Sequence, residues 1–134
     1  MTLSPVAVHE TLDERGLLNQ SQGPGTYALR VETPATAPGV ANAFRLVVDV
    51  TPPDHVLDRL TADRVAYVGA SGNVYDRLQD HADGDVRKAL FLEAFDVIDV
   101  VGVWPSANPF ESEFNRARLL SDQNWVVWSD GEVV

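Results

Sequence analysis

Apolar residues recur along this chain in two rhythms, alternation over short runs and three-to-four spacing over longer ones, and the two interleave. Thr26 to Glu32 alternates and reads as a strand. Thr33 to Val40 holds two prolines and a glycine and reads as a loop or wide turn. Phe44 to Val50, rich in β-branched residues, reads as a second strand. Thr51-Pro52-Pro53-Asp54 opens a helix, with Thr51 as cap and Pro52 in the first turn, that runs to about Leu60. Arg64 to Gly69 follows as an apolar strand, then short helices over Asn73 to His81 and Asp85 to Phe95, then a strand over Val97 to Trp104. Asn108-Pro109-Phe110-Glu111 starts a helix that continues to about Leu120, with Glu111 in the capping-box position, and Trp125 to Trp128 closes the chain as a strand. Within the polar first 22 residues, Glu10 to Leu18 reads as a short helix. The interleaving predicts an α/β (α+β) fold: one domain over residues 1–134, with a mixed, mainly antiparallel sheet flanked by helices.

Composition sharpens this picture. Hydrophobic residues make up 45% of 134 positions, enough for a core without staples and too many for a disordered chain. Cysteine is absent, so disulfides and thiolate metal sites are excluded. Met1 to Glu10 holds no basic segment followed by an apolar run, and Asp99 interrupts the most apolar stretch, so neither a secretory signal nor a membrane span is expected and the cytoplasm is the expected home.

Charge is the unusual feature. The net charge is −10, with 20 acidic residues against 10 basic ones. Lys88 is the single lysine, and aspartate outnumbers glutamate. Low lysine with abundant aspartate resembles proteins from salt-accumulating halophiles. Such a surface repels nucleic acid in dilute buffer. In molar salt the screening length falls to about 3 Å, and the repulsion nearly vanishes. Acidity therefore does not exclude a nucleic-acid partner whose site is locally basic.

The densest chemistry lies between Ala66 and His81. A strand ends in Tyr67-Val68-Gly69, a Gly/Ser turn follows, and then a helix on which Asn73, Arg77 and His81 recur every four residues and share a face. Val74 and Leu78 form the neighbouring apolar stripe. A polar stripe of Asn, Arg and His suits a helix that handles phosphate. A solvated face is the commoner meaning of such a stripe.

Tyr67-Val68-Gly69 with Ser71, Asn73, Arg77 and His81 resembles the second half of the GIY-YIG nuclease signature, and Gly25-Thr26-Tyr27 resembles the first half. The resemblance spans roughly residues 25–128 and is dense only over 67–81. It implies a three-stranded antiparallel sheet flanked by helices, a site in which two tyrosines and an arginine surround the scissile phosphate of DNA, and a helix glutamate that holds one Mg²⁺ or Mn²⁺. Carried onto this sequence, Tyr27, Tyr67, Arg77 and His81 are the catalytic set. Gly69, Ser71, Asn73 and Arg116 are substrate contacts. Tyr27 would position or deprotonate the attacking water, although a phenol with a pKa near 10 is a poor base unless a cation lowers it. Arg77 presents a fixed fork of donors to phosphate oxygens. His81 would pass a proton or bind phosphate.

Two departures stand out. Tyr27 and Tyr67 lie 40 positions apart rather than a hairpin's length, and the insertion over 33–63 is expected to hold the strand Phe44–Val50 and the helix Pro53–Leu60. It either clamps substrate, offers a partner surface or extends the sheet. Counting back from Leu119-Leu120 sets Arg116 where the family has its metal-binding glutamate, with Glu113 one turn earlier. The metal carboxylate is then either Glu113 or missing, and a chain lacking it would be a binding module for nucleic acid or protein. His9 and His55 have no ligand-spaced partners. Trp104, Trp125 and Trp128 suit the core better than base stacking. The Asp80, Asp83 and Asp85 cluster lacks the length of a calcium loop.

Overall fold

Twelve short elements cover residues 3–47, 51–83 and 90–134, the parts of the chain that the computed structural model describes. Strands β1 (Gly25–Glu32), β2 (Val65–Ser71), β3 (Asp96–Pro105), β4 (Val126–Ser129) and β5 (Glu132–Val133) form one sheet in the order β3-β1-β2-β4-β5. β1 runs antiparallel to both β2 and β3, β2 and β4 are parallel, and β4 and β5 close as an antiparallel hairpin. The sheet is thus mixed and mainly antiparallel, as the alternation of the strands predicts.

Pleating divides the sheet's side chains between two faces. Tyr27, Leu29 and Val31 of β1, Val65 of β2 and Val100 and Val103 of β3 enter the larger core. Helices α1 (Pro5–Glu14), α3 (Ala37–Arg45), α5 (Val74–Asp83) and α6 (Leu90–Ala94) add Val8, Leu12, Val40, Phe44, Val74, Leu78 and Phe91 to it. On the other face Ala28, Val68 and Val127 pack against Ala117 and Leu120 of α7 (Pro109–Asp122). A single long helix covers that face, with Pro109, Ala117 and Leu120 of α7 buried.

The N-terminal segment is a working part of the fold. Ser4 caps α1 by accepting the Ala7 N–H at 3.1 Å, with Pro5 in the first turn. The Leu3 N–H donates to the Val97 carbonyl, and Arg15 pairs with Asp99 at 2.8 and 2.9 Å while donating to the Val100 carbonyl. These contacts occupy the outer edge of β3, which would otherwise be open to pairing. The helix expected over Glu10–Leu18 therefore begins earlier, at Pro5. A separate turn, α2 (Leu18–Ser21), leads into β1.

Three expectations are corrected in the insertion. Phe44 and Arg45 end a helix, α3, and do not begin a strand. The loop expected over Thr33–Val40 gives way at Ala37 to that helix, because Thr36 accepts the Gly39 N–H at 3.2 Å as cap and Pro38 sits in the first turn. Val40, Ala41 and Phe44 then fall on one buried face. The later part of the predicted strand, residues 48–50, lies outside the described residues. The following helix, α4 (Asp54–Arg59), starts with Pro53 rather than Thr51 at its cap position. The insertion thus adds helices to the larger core and no strand among the described residues. The first part of the helix expected over Asp85–Phe95 also lies outside them; α6 covers Leu90–Ala94. No helix among the described residues is long and apolar enough to cross a membrane.

Candidate active site

Antiparallel pairing of β1 and β2 sets Tyr27 opposite Gly69 and Leu29 opposite Tyr67. The two tyrosines therefore stand on one face of neighbouring strands, with ring centroids 6.3 Å apart. Gly69 makes this packing feasible. A Cβ built on it would lie 2.5 Å from the Cζ and Oη atoms of Tyr27, so any larger residue collides with the phenol.

The turn that follows is held by its own polar side chains. Ser71 Oγ accepts the Asn73 N–H at 3.1 Å and donates to the Asn73 carbonyl at 2.9 Å. Asn73 Oδ1 accepts the Asp76 N–H at 3.1 Å, as a helix cap does. Ser71 and Asn73, expected to touch substrate, thus have a scaffolding role in launching α5. The Val74 N–H donates to the Gly23 carbonyl at 3.0 Å, tying the start of α5 to the approach to β1.

From this anchored start, α5 buries Val74 and Leu78 and turns Arg77 and His81 toward the tyrosines. Tyr27 Oη and His81 Nε2 are 2.8 Å apart. Both groups are buried, Tyr27 at 1% and His81 at 4% exposure, and the His81 ring meets Tyr67 edge-on at 6.1 Å. His81 therefore lies beneath Tyr27 as its partner and is not an open phosphate ligand.

Burial pushes the Tyr27 phenol far above its ordinary pKa, and Tyr67 adds to the rise. Arg77 opposes it, through its charge and through hydrogen bonding to the phenol. Tyr67 is also raised, first by burial and then by the carboxylate of Glu113, again with Arg77 opposing. Glu113 of α7 lies near enough for its carboxylate to raise both phenols. Its own carboxyl is pushed up by burial and by neighbouring Asp130.

Arg116, one turn further along α7, has a different neighbour. Its guanidinium sits 4.1 Å from the Trp104 ring centroid, a cation–π contact. Of the two residues that compete for the carboxylate position, Glu113 is the one coupled to the tyrosines. The N-terminus of α7 is held by hydroxyls. Ser106 accepts the Asn108 N–H at 3.1 Å and lies 2.8 Å from Ser112 Oγ, while the Asn108 side chain makes no cap bond.

Asp130 joins the site unannounced by the sequence reading. It occupies the β4–β5 turn, where it and Gly131 adopt φ of 51° and 82°. An Asp-Gly pair is a recognisable hairpin signal, but only the parallel pairing of β2 with β4 brings it beside Glu113 and Tyr67. Among the described residues no three metal-ligating side chains are grouped to hold an ion. Glu113 with Asp130 nearby offers hard oxygen donors, which suits Mg²⁺ or Mn²⁺ bound by few protein ligands and completed by water and phosphate oxygens.

The remaining candidates have local roles. His9 Nδ1 lies 2.8 Å from Tyr75 Oη, joining α1 to α5, and His55 is exposed. Trp128 stacks on Phe91 in the core at 4.9 Å, and Trp125 carries the Arg64 guanidinium at 4.3 Å. No family model, curated protein or solved structure matches this chain.

Proposed function

We propose that this chain is a GIY-YIG-like endonuclease that hydrolyses DNA phosphodiester bonds in the cytoplasm with one divalent cation, Mg²⁺ or Mn²⁺, held by Glu113. One observation carries the reading: Tyr27 and Tyr67 stand side by side on neighbouring strands, rings 6.3 Å apart, and Arg77 and Glu113 from two different helices both act on their buried phenols. Their residue types supply what phosphodiester hydrolysis requires.

In this mechanism Arg77 holds the scissile phosphate and neutralises charge gathering on its oxygens. The Tyr27 hydroxyl orients the attacking water. Because burial keeps that phenol protonated, it is no base by itself. The neighbouring His81 Nε2 supplies the missing acceptor. As water attacks phosphorus, its proton passes to Tyr27 Oη while the phenol's own proton passes to His81 Nε2. This relay needs the Nδ1–H tautomer of His81. Tyr67, beside Arg77 and Glu113, hydrogen-bonds the phosphate. The metal at Glu113 would stabilise the leaving oxygen.

The near-complete burial of Tyr27 favours a second reading, a module that binds nucleic acid through Arg77 without cutting it. Incubating the protein with single-stranded, nicked and branched DNA in high KCl, with and without Mn²⁺, decides between them. Metal-dependent cleavage that Arg77→Ala and Glu113→Gln both abolish supports the enzyme. Binding without cleavage, weakened about ten- to a hundredfold by Arg77→Ala, supports the module. Absence of any binding removes both.

A further inference from the structure

Helix α7 keeps two large aromatic rings in solvent. Phe110 is 73% exposed and Phe114 55% exposed, and they are separated by one helical turn. Side chains four apart stack along one ridge of a helix. Arg118 continues the ridge by another turn, with its guanidinium 5.9 Å from the Phe114 ring centroid.

The position of this ridge relative to Glu113 is informative. At about 100° per residue, Phe110 and Phe114 lie roughly 60° and 100° around the helix from Glu113 on one flank. Arg116, stacked on Trp104, lies about 60° away on the other. The carboxylate proposed to hold the metal is therefore bracketed by two aromatic–arginine pairs, Phe114 with Arg118 on its own helix and Arg116 with Trp104 of β3. We infer that Phe110 and Phe114 form a stacking platform for unpaired nucleobases next to the scissile phosphate, which makes single-stranded or frayed DNA the substrate class. The inference rests on the proposed nuclease site.

The extent of the ridge and the arginine beside it favour this occupant over another protein. A net charge of −10 opposes a second copy and DNA alike, so it does not choose between them. A ridge of two phenylalanines, interrupted by Glu111, Asn115 and Asp122, falls well short of the roughly 1,200 Å² that a stable protein interface buries. Salt conditions that relieve acidic repulsion also weaken attraction between arginine and phosphate. A nucleic-acid ligand then has to be held by contacts that salt does not screen. Stacking of bases on aromatic rings is such a contact and tolerates any sequence. Arg118 adds positive charge beside the Phe114 ring in a chain poor in it.

The test uses the full chain in molar KCl with Mn²⁺ omitted, to measure binding alone. Short oligothymidylate, the same oligonucleotide with abasic positions, and a duplex of equal length are titrated against wild type and the Phe110→Leu/Phe114→Leu double variant. Leucine keeps the ridge apolar but removes the flat π face, and the exposed positions leave the fold intact, which circular dichroism checks. The expected result is a loss of about ten- to a hundredfold in oligothymidylate affinity, with duplex affinity unchanged and the abasic strand bound equally weakly by both proteins. Equal oligothymidylate binding by both proteins overturns the platform and leaves the nuclease site standing. No binding of any DNA by wild type overturns the nuclease site and the platform with it. A wild type that sediments as a dimer and a variant that sediments as a monomer would make the ridge a self-association surface, and the inference would fall.

Discussion

Tyr27 and Gly69 face each other across β1 and β2, and the phenol of the first fills the space a Cβ on the second would need. At 2.5 Å from two ring atoms, that Cβ cannot be accommodated without displacing Tyr27 from His81. Gly69→Ala is therefore expected to destabilise the fold by about 1–3 kcal/mol, as overpacking of a dense core does. It should also abolish DNA cleavage beyond what the stability loss explains. Denaturant unfolding and cleavage assays on the same preparation check both; a silent Gly69→Ala would mean that the tyrosine ring is free to move.

The buried phenol makes an alkaline prediction. Tyr27 has a folded-state pKa raised above its unfolded value of about 10, so the folded chain retains a proton that the unfolded chain releases. Stability from this group is fully present below about pH 10 and falls as pH rises beyond it. Tyr67, shifted in the same direction, adds to the fall. Tyr27→Phe should lose the His81 hydrogen bond, at a cost of about 1–3 kcal/mol at neutral pH. Its stability should then decline less steeply above pH 10 than that of wild type. Thermal melts between neutral pH and the alkaline limit measure the two slopes.

Glu113 gives the opposite balance between stability and function. Its carboxyl is raised above 4.5 by burial and by Asp130, so stability falls as pH rises through the window between 4.5 and the folded value. At neutral pH the ionised group destabilises the fold. Glu113→Gln is expected to raise the melting temperature while removing Mn²⁺ binding, and Asp130→Asn to raise it less. In wild type, Mn²⁺ affinity should begin to fall on acidification at a higher pH than for an ordinary carboxylate site. Arg116→Glu, at the position stacked on Trp104, should create no new metal affinity. Calorimetric titration with Mn²⁺ across the variants separates these outcomes, and tight binding by Glu113→Gln would move the metal elsewhere.

Salt should act on the whole molecule. With a net charge of −10, self-repulsion loosens the fold in dilute buffer and screening relieves it. The melting temperature is expected to rise markedly between dilute buffer and molar KCl. A melting temperature that stays constant would remove the halophile argument and let the acidity count against a DNA partner.

Much of the site is legible in the sequence because its parts are local. The Tyr67–Gly69 strand end, the Ser71–Asn73 turn and the four-residue rhythm of Arg77 and His81 lie within 15 consecutive residues, where spacing alone fixes which side chains share a face. Helix α7 is legible from its Asn108-Pro109-Phe110-Glu111 start, with Pro109 in the first turn. The insertion is misread because β-branched residues after Phe44 outweigh a quieter signal, the Thr36 cap followed by Val40, Ala41 and Phe44 at helical spacing. Asp130 is invisible because a parallel pairing between β2 and β4, more than 50 residues apart in sequence, brings it to the site. Glu113 and Arg116, one turn apart on one helix, differ in surroundings only in three dimensions, where the first acts on the tyrosines and the second stacks on Trp104.

The strand order also bears on how the chain is made. β1 lies between two neighbours, yet both strands that flank it, β2 from Val65 and β3 from Asp96, emerge from the ribosome after it. During synthesis Gly25–Glu32 therefore waits with two unpaired sides and an apolar face, the condition in which nascent chains associate with one another. Like charge on the abundant aspartates opposes that association while β1 waits for β3 to close its second side.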